Sequence, residues 1–140
     1  MMPRSGYSYR LGYDALKLIT QNGAMFLPHA VIEYARSLER DMWNSGIMEA
    51  VHSSLLACGQ FGEQDIKVRA YPCDHALVAG KPSSFIHVTI YLLSGRSDTI
   101  KKDITSRVLA ALQALEVDVA SLSVDARDLN RAVYSKDMQE

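Results

Sequence analysis

Ser84-Phe85-Ile86-His87-Val88-Thr89-Ile90-Tyr91-Leu92-Leu93 decides the fold. Ile86, Val88 and Ile90 alternate with Phe85, His87, Thr89 and Tyr91, a period of two that sends one set to each face of a β-strand. Just beyond it, Ser97-Asp98 supplies a side-chain cap and a first-turn carboxylate for a helix. Ile100, Ile104, Val108, Leu112 and Leu115 then recur at helical spacing, with Lys101, Lys102, Asp103 and Arg107 on the solvent side. Val119–Ala126, through Leu122 and Val124, reads as a further strand. The unit is strand, helix, strand.

The same outline stands upstream. Pro28-His29-Ala30-Val31-Ile32-Glu33-Tyr34 is rich in β-branched and aromatic residues, and a proline at a strand's first position removes no ladder donor. Arg36–Ser45 is polar and reads as a loop. Over Gly46–Cys58, Ile47, Val51 and Leu55 form a helical stripe that Met48, Leu56 and Cys58 widen, and Gly59 stands where the helix should stop. Asp65–Tyr71 alternates Ile66, Val68 and Ala70 against Lys67, Arg69 and Tyr71. Pro72–Ser83, with Pro72, Gly80 and Pro82, reads as a loop. The expected fold is α/β in pattern and α+β in layering: two βαβ units forming a four-stranded sheet with two helices on one face. The bare opposite face mixes apolar and polar residues, which on so small a domain predicts burial by self-association.

Composition narrows the function. The 140 residues suit one domain with a short extension, and 48% hydrophobic with 22% charged residues is a globular balance. A net charge of −1 offers no chain-wide basic field, so nucleic acid is not an expected partner. There is no apolar run of membrane-spanning length and no apolar signal region at the start. Cys58 and Cys73 form no CxxC pair, so a reducing cytoplasm is expected, with Cys58 a small buried hydrophobe. His29 and His87 could lie on neighbouring strands, but a third and fourth metal ligand at useful spacing is missing, so polar packing is the expectation. His52 and His75 belong to no motif, and Trp43 with Met42 could cover a pocket or simply pack.

Residues 1–27 read as an N-terminal extension, rich in Tyr, Ser, Arg and Gly in Met1–Gly12, with a short helix over Tyr13–Gln21 stopped by Asn22-Gly23. The folded domain is expected over 28–128 and a polar C-terminal tail over 129–140.

Pro28–Tyr34, together with Phe85-Ile86-His87-Val88-Thr89-Ile90 and Ser94-Gly95-Arg96-Ser97, resembles the 5-carboxymethyl-2-hydroxymuconate delta-isomerase family of the tautomerase superfamily. The resemblance runs from Pro28 to Asp128, and the order and spacing of the motifs make it specific. It implies a homotrimer with a cofactor-free active site at the subunit boundary, and an isomerase acting on a polycarboxylate dienol from aromatic-compound catabolism. Pro28 would be the catalytic base, and Arg96, Arg69 and Lys67 would hold substrate carboxylates. Lys67 departs from the pattern, which leads one to expect arginine there; an ammonium attracts charge but lacks the planar fork of a guanidinium.

The chemistry requires a free amine. An α-amino group titrates near 7.7–8.0, nearby cations and burial lower that value, and a neutral amine then shuttles a proton at pH 7. Within a chain, proline nitrogen is an amide and no base. Because 27 residues precede Pro28, the expectation is that translation starts at the Leu27 codon, since leucine codons such as TTG can initiate in bacteria and methionine before proline is normally removed. The alternative is a genuine extension on a non-catalytic trimeric binding or structural protein.

Overall fold

The computed structural model describes residues 27–137. The helix expected over Tyr13–Gln21 lies outside them. The described residues form six strands: β1 (His29–Ala35), β2 (Lys67–Cys73), β3 (Leu77–Val78), β4 (Lys81–Pro82), β5 (Phe85–Leu93) and β6 (Ser121–Leu129). Among the described residues three α-helices accompany them: α1 (Glu39–Ser45), α2 (Ile47–Ala57) and α3 (Asp98–Gln113). The main sheet has the order β2-β1-β5-β6. β1 pairs parallel with β2, β5 parallel with β6, and the two units meet through antiparallel β1 and β5. The doubled βαβ pattern is therefore correct. The alternation does not specify the antiparallel join, because a period of two is the same in either direction.

One face of the sheet carries the core. Ala30, Ile32 and Tyr34 of β1 and Ile86, Val88, Ile90 and Leu92 of β5 are buried against Ile47, Val51 and Leu55 of α2 and Ile104, Val108 and Leu112 of α3. Ile32 and Val88, opposite each other in the register, are both fully buried. Each such aliphatic side chain contributes about 1.5–3 kcal/mol. Ile100, included in the α3 stripe by spacing, is exposed, because it sits in the first turn, outside the contact with the sheet. The Ser97 cap forms as expected, its Oγ accepting from the Ile100 N–H at 3.3 Å.

The polar run Arg36–Ser45 is not a loop. A 3-10 turn (Arg36–Leu38) leads into α1; the turn buries Leu38 and the helix buries Met42, four residues on, while Trp43 is 65% exposed. Tyr34 Oη donates to Glu39 Oε2 at 2.6 Å and fastens α1 to the end of β1. Gly46, at φ +72°, separates α1 from α2 in a left-handed conformation that glycine adopts at little cost. The stretch beginning at Pro72 also differs from a plain loop: Pro72 extends β2, tolerated because β2 is an edge strand, and β3 and β4 form a small hairpin.

The other face of the sheet presents rows fixed by the register. Lys67, His29, Tyr91 and Arg127 form one; Arg69, Val31, Thr89 and Asp125 the next; Tyr71, Glu33, His87 and Ser123 the third. No described helix is long and apolar enough to cross a membrane.

Candidate active site

Pro28 stands at the N-terminal end of β1, buried, with its carbonyl accepting from the Lys67 N–H at 3.1 Å. That bond fixes the start of β2 beside the start of β1. Lys67 and Arg69 then point to the same face as His29. Arg69 Nη1 lies 3.1 Å from His29 Nδ1, and His29 Nε2 lies 3.2 Å from Tyr134 Oη. A guanidinium can only donate, so Nδ1 is the acceptor and the ring proton sits on Nε2. Burial, followed by the charges of Arg69, Lys67 and Lys136, holds the imidazole pKa below its ordinary value. Neutral His29 is what this arrangement requires.

Lys67 Nζ donates to the Asp65 carbonyl at 3.1 Å. Burial lowers its pKa first, and the neighbouring Lys136 ammonium lowers it further. Lys136 Nζ is 2.9 Å from Asp65 Oδ1, an ion pair whose side chains are only 16% and 8% exposed. The tail expected after β6 is thus no free appendage here: Tyr134 and Lys136 come back to the start of β1 and β2. Sequence reasoning missed both. Each is an isolated polar residue in a polar run, and only the topology brings it to Pro28.

Arg96 is at the same end of the sheet but in a separate setting. His29 pairs with Tyr91 in the register, so the end of β5 and the Ser94–Arg96 turn flank the Pro28 end. The Arg96 guanidinium donates to Gln60 Oε1 (3.2 Å), the Gln60 carbonyl (3.4 Å) and the Leu93 carbonyl (3.4 Å), and packs over the Phe61 ring at 4.9 Å. Arg131 is next to it, its Nη2 donating to the Ser94 carbonyl at 2.7 Å. Of the four residues singled out in the sequence, the structure brings Pro28, Lys67 and Arg69 together and holds Arg96 against Gln60 and Phe61.

The other candidates fall away. His87 bonds Ser123 Oγ at 2.6 Å and faces Glu33, four residues along β5 from the partner of His29, so the two histidines do not converge. No group of three or more potential metal ligands exists among the described residues. The Cys58 Sγ–H donates to the Leu55 carbonyl at 3.0 Å, and burial pushes the thiol pKa up, as for a packing residue. A cavity of about 210 Å³ between α2, α3, β5 and β6 is lined by apolar side chains and Gln113, with no charged group in it.

The doubled βαβ sheet is the fold that the family resemblance implies. The 5-carboxymethyl-2-hydroxymuconate isomerase family matches residues 28–137, and the chain belongs to that family, whose members are isomerases of the tautomerase superfamily. No curated protein matches the chain. Among solved structures, it resembles a 5-carboxymethyl-2-hydroxymuconate isomerase from Deinococcus radiodurans R1 at 23% identity, covering 84% of this chain and 95% of that one, with a TM-score of 0.72. It also resembles a 5-carboxymethyl-2-hydroxymuconate delta-isomerase at 19% identity (84% and 91% covered, TM-score 0.65). A fused 4-OT that forms an asymmetric trimer is similar at 11% identity (79% and 94% covered, TM-score 0.65).

Proposed function

We propose that this protein, with its chain beginning at Pro28, is a cofactor-independent isomerase of a polycarboxylate dienol such as 5-carboxymethyl-2-hydroxymuconate, formed in aromatic-compound catabolism. The observation that carries the reading is the position of Pro28: a buried strand start whose carbonyl accepts from the Lys67 N–H, next in sequence to His29, on which the charges of Arg69, Lys67 and Lys136 act. Cations around an amine lower its pKa toward neutrality, where a proton shuttle works best. The free amine takes the proton of the 2-hydroxyl group, leaving a dienolate. The resulting ammonium returns a proton at the far carbon of the conjugated system, and the 2-oxo product forms. Arg96, Arg69 and Lys67 bind carboxylates and stabilise the dienolate charge. The protein acts as a cytoplasmic homotrimer, a reading supported by its free thiols, by the half-exposed sheet face and by the trimeric fused 4-OT of like fold. The polar tail is part of the working domain, supported by the contacts of Tyr134 and Lys136.

The intact mass of the protein from its own cell, together with assays of two recombinant chains, tests the reading. The native mass is expected to begin at Pro28. The chain starting there is expected to sediment as a trimer and to isomerise the dienol at least 100-fold faster than the 140-residue chain, since amine catalysis contributes about 10²–10⁴-fold. Equal activity of the two chains contradicts the amine mechanism. One observation favours a second reading: Leu27, which turns the Pro28 nitrogen into an amide, is fully buried. On that reading the extension is genuine and the protein is a non-catalytic trimeric binding protein.

A further inference from the structure

The hydrogen-bond chain through His29 runs in one direction and ends on a hydroxyl whose own proton it leaves unused. Arg69 Nη1 lies 3.1 Å from His29 Nδ1, and His29 Nε2 lies 3.2 Å from Tyr134 Oη. A guanidinium has no lone pair to offer. A proton on Nδ1 would set N–H against N–H, which excludes both the charged ring and the Nδ1–H tautomer. Nδ1 therefore accepts, Nε2–H donates, and Tyr134 Oη receives. A hydroxyl has one proton and two acceptor lone pairs. His29 occupies a lone pair, so the Tyr134 proton is left for another acceptor. Among the described residues, His29 is the only hydrogen-bond partner of that hydroxyl.

The segment after β6 fixes the hydroxyl in place. Asn130 Oδ1 accepts from the Ala132 N–H at 3.0 Å and caps the 3-10 turn Arg131–Val133. The Arg131 N–H donates to Ser94 Oγ at 3.3 Å, which holds the turn against the end of β5. Two residues beyond Tyr134, Lys136 Nζ pairs with Asp65 Oδ1 at 2.9 Å, just before β2. Tyr134 is thus held from both sides, half-buried, with its oxygen on the residue that follows Pro28. Arg69 and Tyr134 meet the two nitrogens of one imidazole, and those nitrogens point apart. The two donors suit two separated oxygens of one ligand better than a single carboxylate.

Resting on the reading that this site binds a polycarboxylate, we propose that Tyr134 is a substrate-binding residue: its O–H donates to one carboxylate of the ligand while the remaining N–H groups of Arg69 hold another. His29 is a positioning residue, which sets the direction of the chain and so commits the Tyr134 proton to the ligand.

Two measurements on the full 140-residue chain test this without requiring turnover. Nitrogen-15 NMR of the histidine rings is expected to show His29 as the Nε2–H tautomer alone. A ring protonated on Nδ1, or a mixture of tautomers, overturns the directed chain, and this reading needs no variant. Calorimetric titration then uses cis,cis-muconate, a six-carbon dicarboxylate, and sorbate, a six-carbon diene with one carboxylate. Tyr134→Phe, which deletes only the hydroxyl, is expected to weaken muconate binding by about tenfold or more, as for one hydrogen bond to a charged acceptor, and to leave sorbate binding unchanged. His29→Gln, whose amide can accept from Arg69 and donate to Tyr134 in the same direction, is expected to keep the native muconate affinity. His29→Leu, which cannot, is expected to lose it. Thermal melts accompany each variant. Native muconate binding by Tyr134→Phe makes the tyrosine a purely structural clasp and overturns the proposal. Equal weakening of both probes, or no muconate binding by the native chain, overturns it as well. Muconate binding that depends on Tyr134, beside a Pro28-initiated chain that isomerises nothing, supports the proposal and removes the catalytic reading. A Pro28-initiated chain that isomerises the dienol with kinetics untouched by Tyr134→Phe does the reverse.

Discussion

The two strand–helix–strand halves begin their first strands in the same way and differ in what they place there. In the first, the Lys67 N–H donates to the carbonyl of Pro28 at 3.1 Å; in the second, the Ser121 N–H donates to the carbonyl of Ser84 at 3.3 Å. The equivalence continues along the register. His29 stands opposite Lys67 and Val31 opposite Arg69, while Phe85 stands opposite Ser121 and His87 opposite Ser123. One backbone arrangement therefore occurs twice, at opposite ends of the sheet because β1 and β5 run antiparallel. Only one copy carries lysine and arginine where the other carries two serines. Tyr134 and Lys136 also meet only the first. The fold supplies the geometry twice; side chains alone make one end a candidate site.

The largest expected effect comes from blocking one strand start and altering the other. A chain that begins with one alanine before Pro28 converts the proline nitrogen to an amide and is expected to lose about 10²–10⁴-fold in kcat. Ser84→Ala, at the equivalent position, removes the bond from the Ala120 N–H to Ser84 Oγ. It is expected to cost about 1 kcal/mol of stability and to leave kcat within about twofold, an expectation drawn from its distance from the proposed chemistry. Steady-state assays and urea melts of both chains check the contrast. Similar losses in both would mean that the strand starts are not chemically distinct.

The second contrast is between the arginines that follow β1 and β5. Arg36 is half-exposed and engaged by Asp74 and Glu39. Arg96 is set against the Phe61 ring, Gln60 and the Leu93 carbonyl, at the end of the sheet where Pro28 lies. Arg96→Ala in the Pro28-initiated chain is expected to lose about 2–4 kcal/mol of transition-state stabilisation, roughly 30- to 1000-fold in kcat/KM. Arg96→Lys should recover part of it, since an ammonium keeps charge without the fork. Arg36→Ala should cost no more than about 1 kcal/mol in stability, as exposed pairs do, with kcat/KM unchanged. Unaltered kinetics for Arg96→Ala would take that residue out of the site.

The doubled unit was legible because its signal is local. Ile86, Val88 and Ile90 announce a strand, and Ile104, Val108 and Leu112 a helix, from spacing alone. Helix α1 was not legible, because Leu38 and Met42 are the buried pair in an otherwise polar run and the bulky Trp43 faces out. The chain direction between the halves leaves no trace in alternation. Half of the candidate site could be read: Pro28, Lys67 and Arg69 lie on elements whose faces the period fixes. His29 was visible but was assigned to packing, since its contacts with Arg69 and Tyr134 depend on strand pairing and on the segment after β6. Lys136 was hidden for the same reason. It meets Asp65 across 71 residues of sequence, and no short-range pattern encodes that meeting.

The smallest expected effect is a difference in acid stability between the two strand starts, and its sign follows from His29. In the folded chain, burial and the cations Arg69, Lys67 and Lys136 hold His29 neutral. Arg69 donates to its Nδ1, and its Nε2 proton is directed at Tyr134. In the unfolded chain the same histidine takes up a proton near pH 6.5. Below that value the unfolded state binds more protons, so folding stability falls as pH falls. The contribution is fully present above about 6.5 and is lost on the way down to the lower folded pKa. One site bounds the slope at about 1.4 kcal/mol per pH unit. His29→Gln removes the titration while keeping an acceptor for Arg69 and a donor for Tyr134. Urea unfolding at pH 8, 7, 6 and 5 should show the native chain losing stability relative to this variant as pH falls. Phe85→Gln, at the equivalent position of the second half, should run parallel to the native chain over the same range. Parallel curves for the native chain and His29→Gln would mean that His29 takes up its proton in the folded state as readily as in water. The cations around it would then not act as the geometry requires.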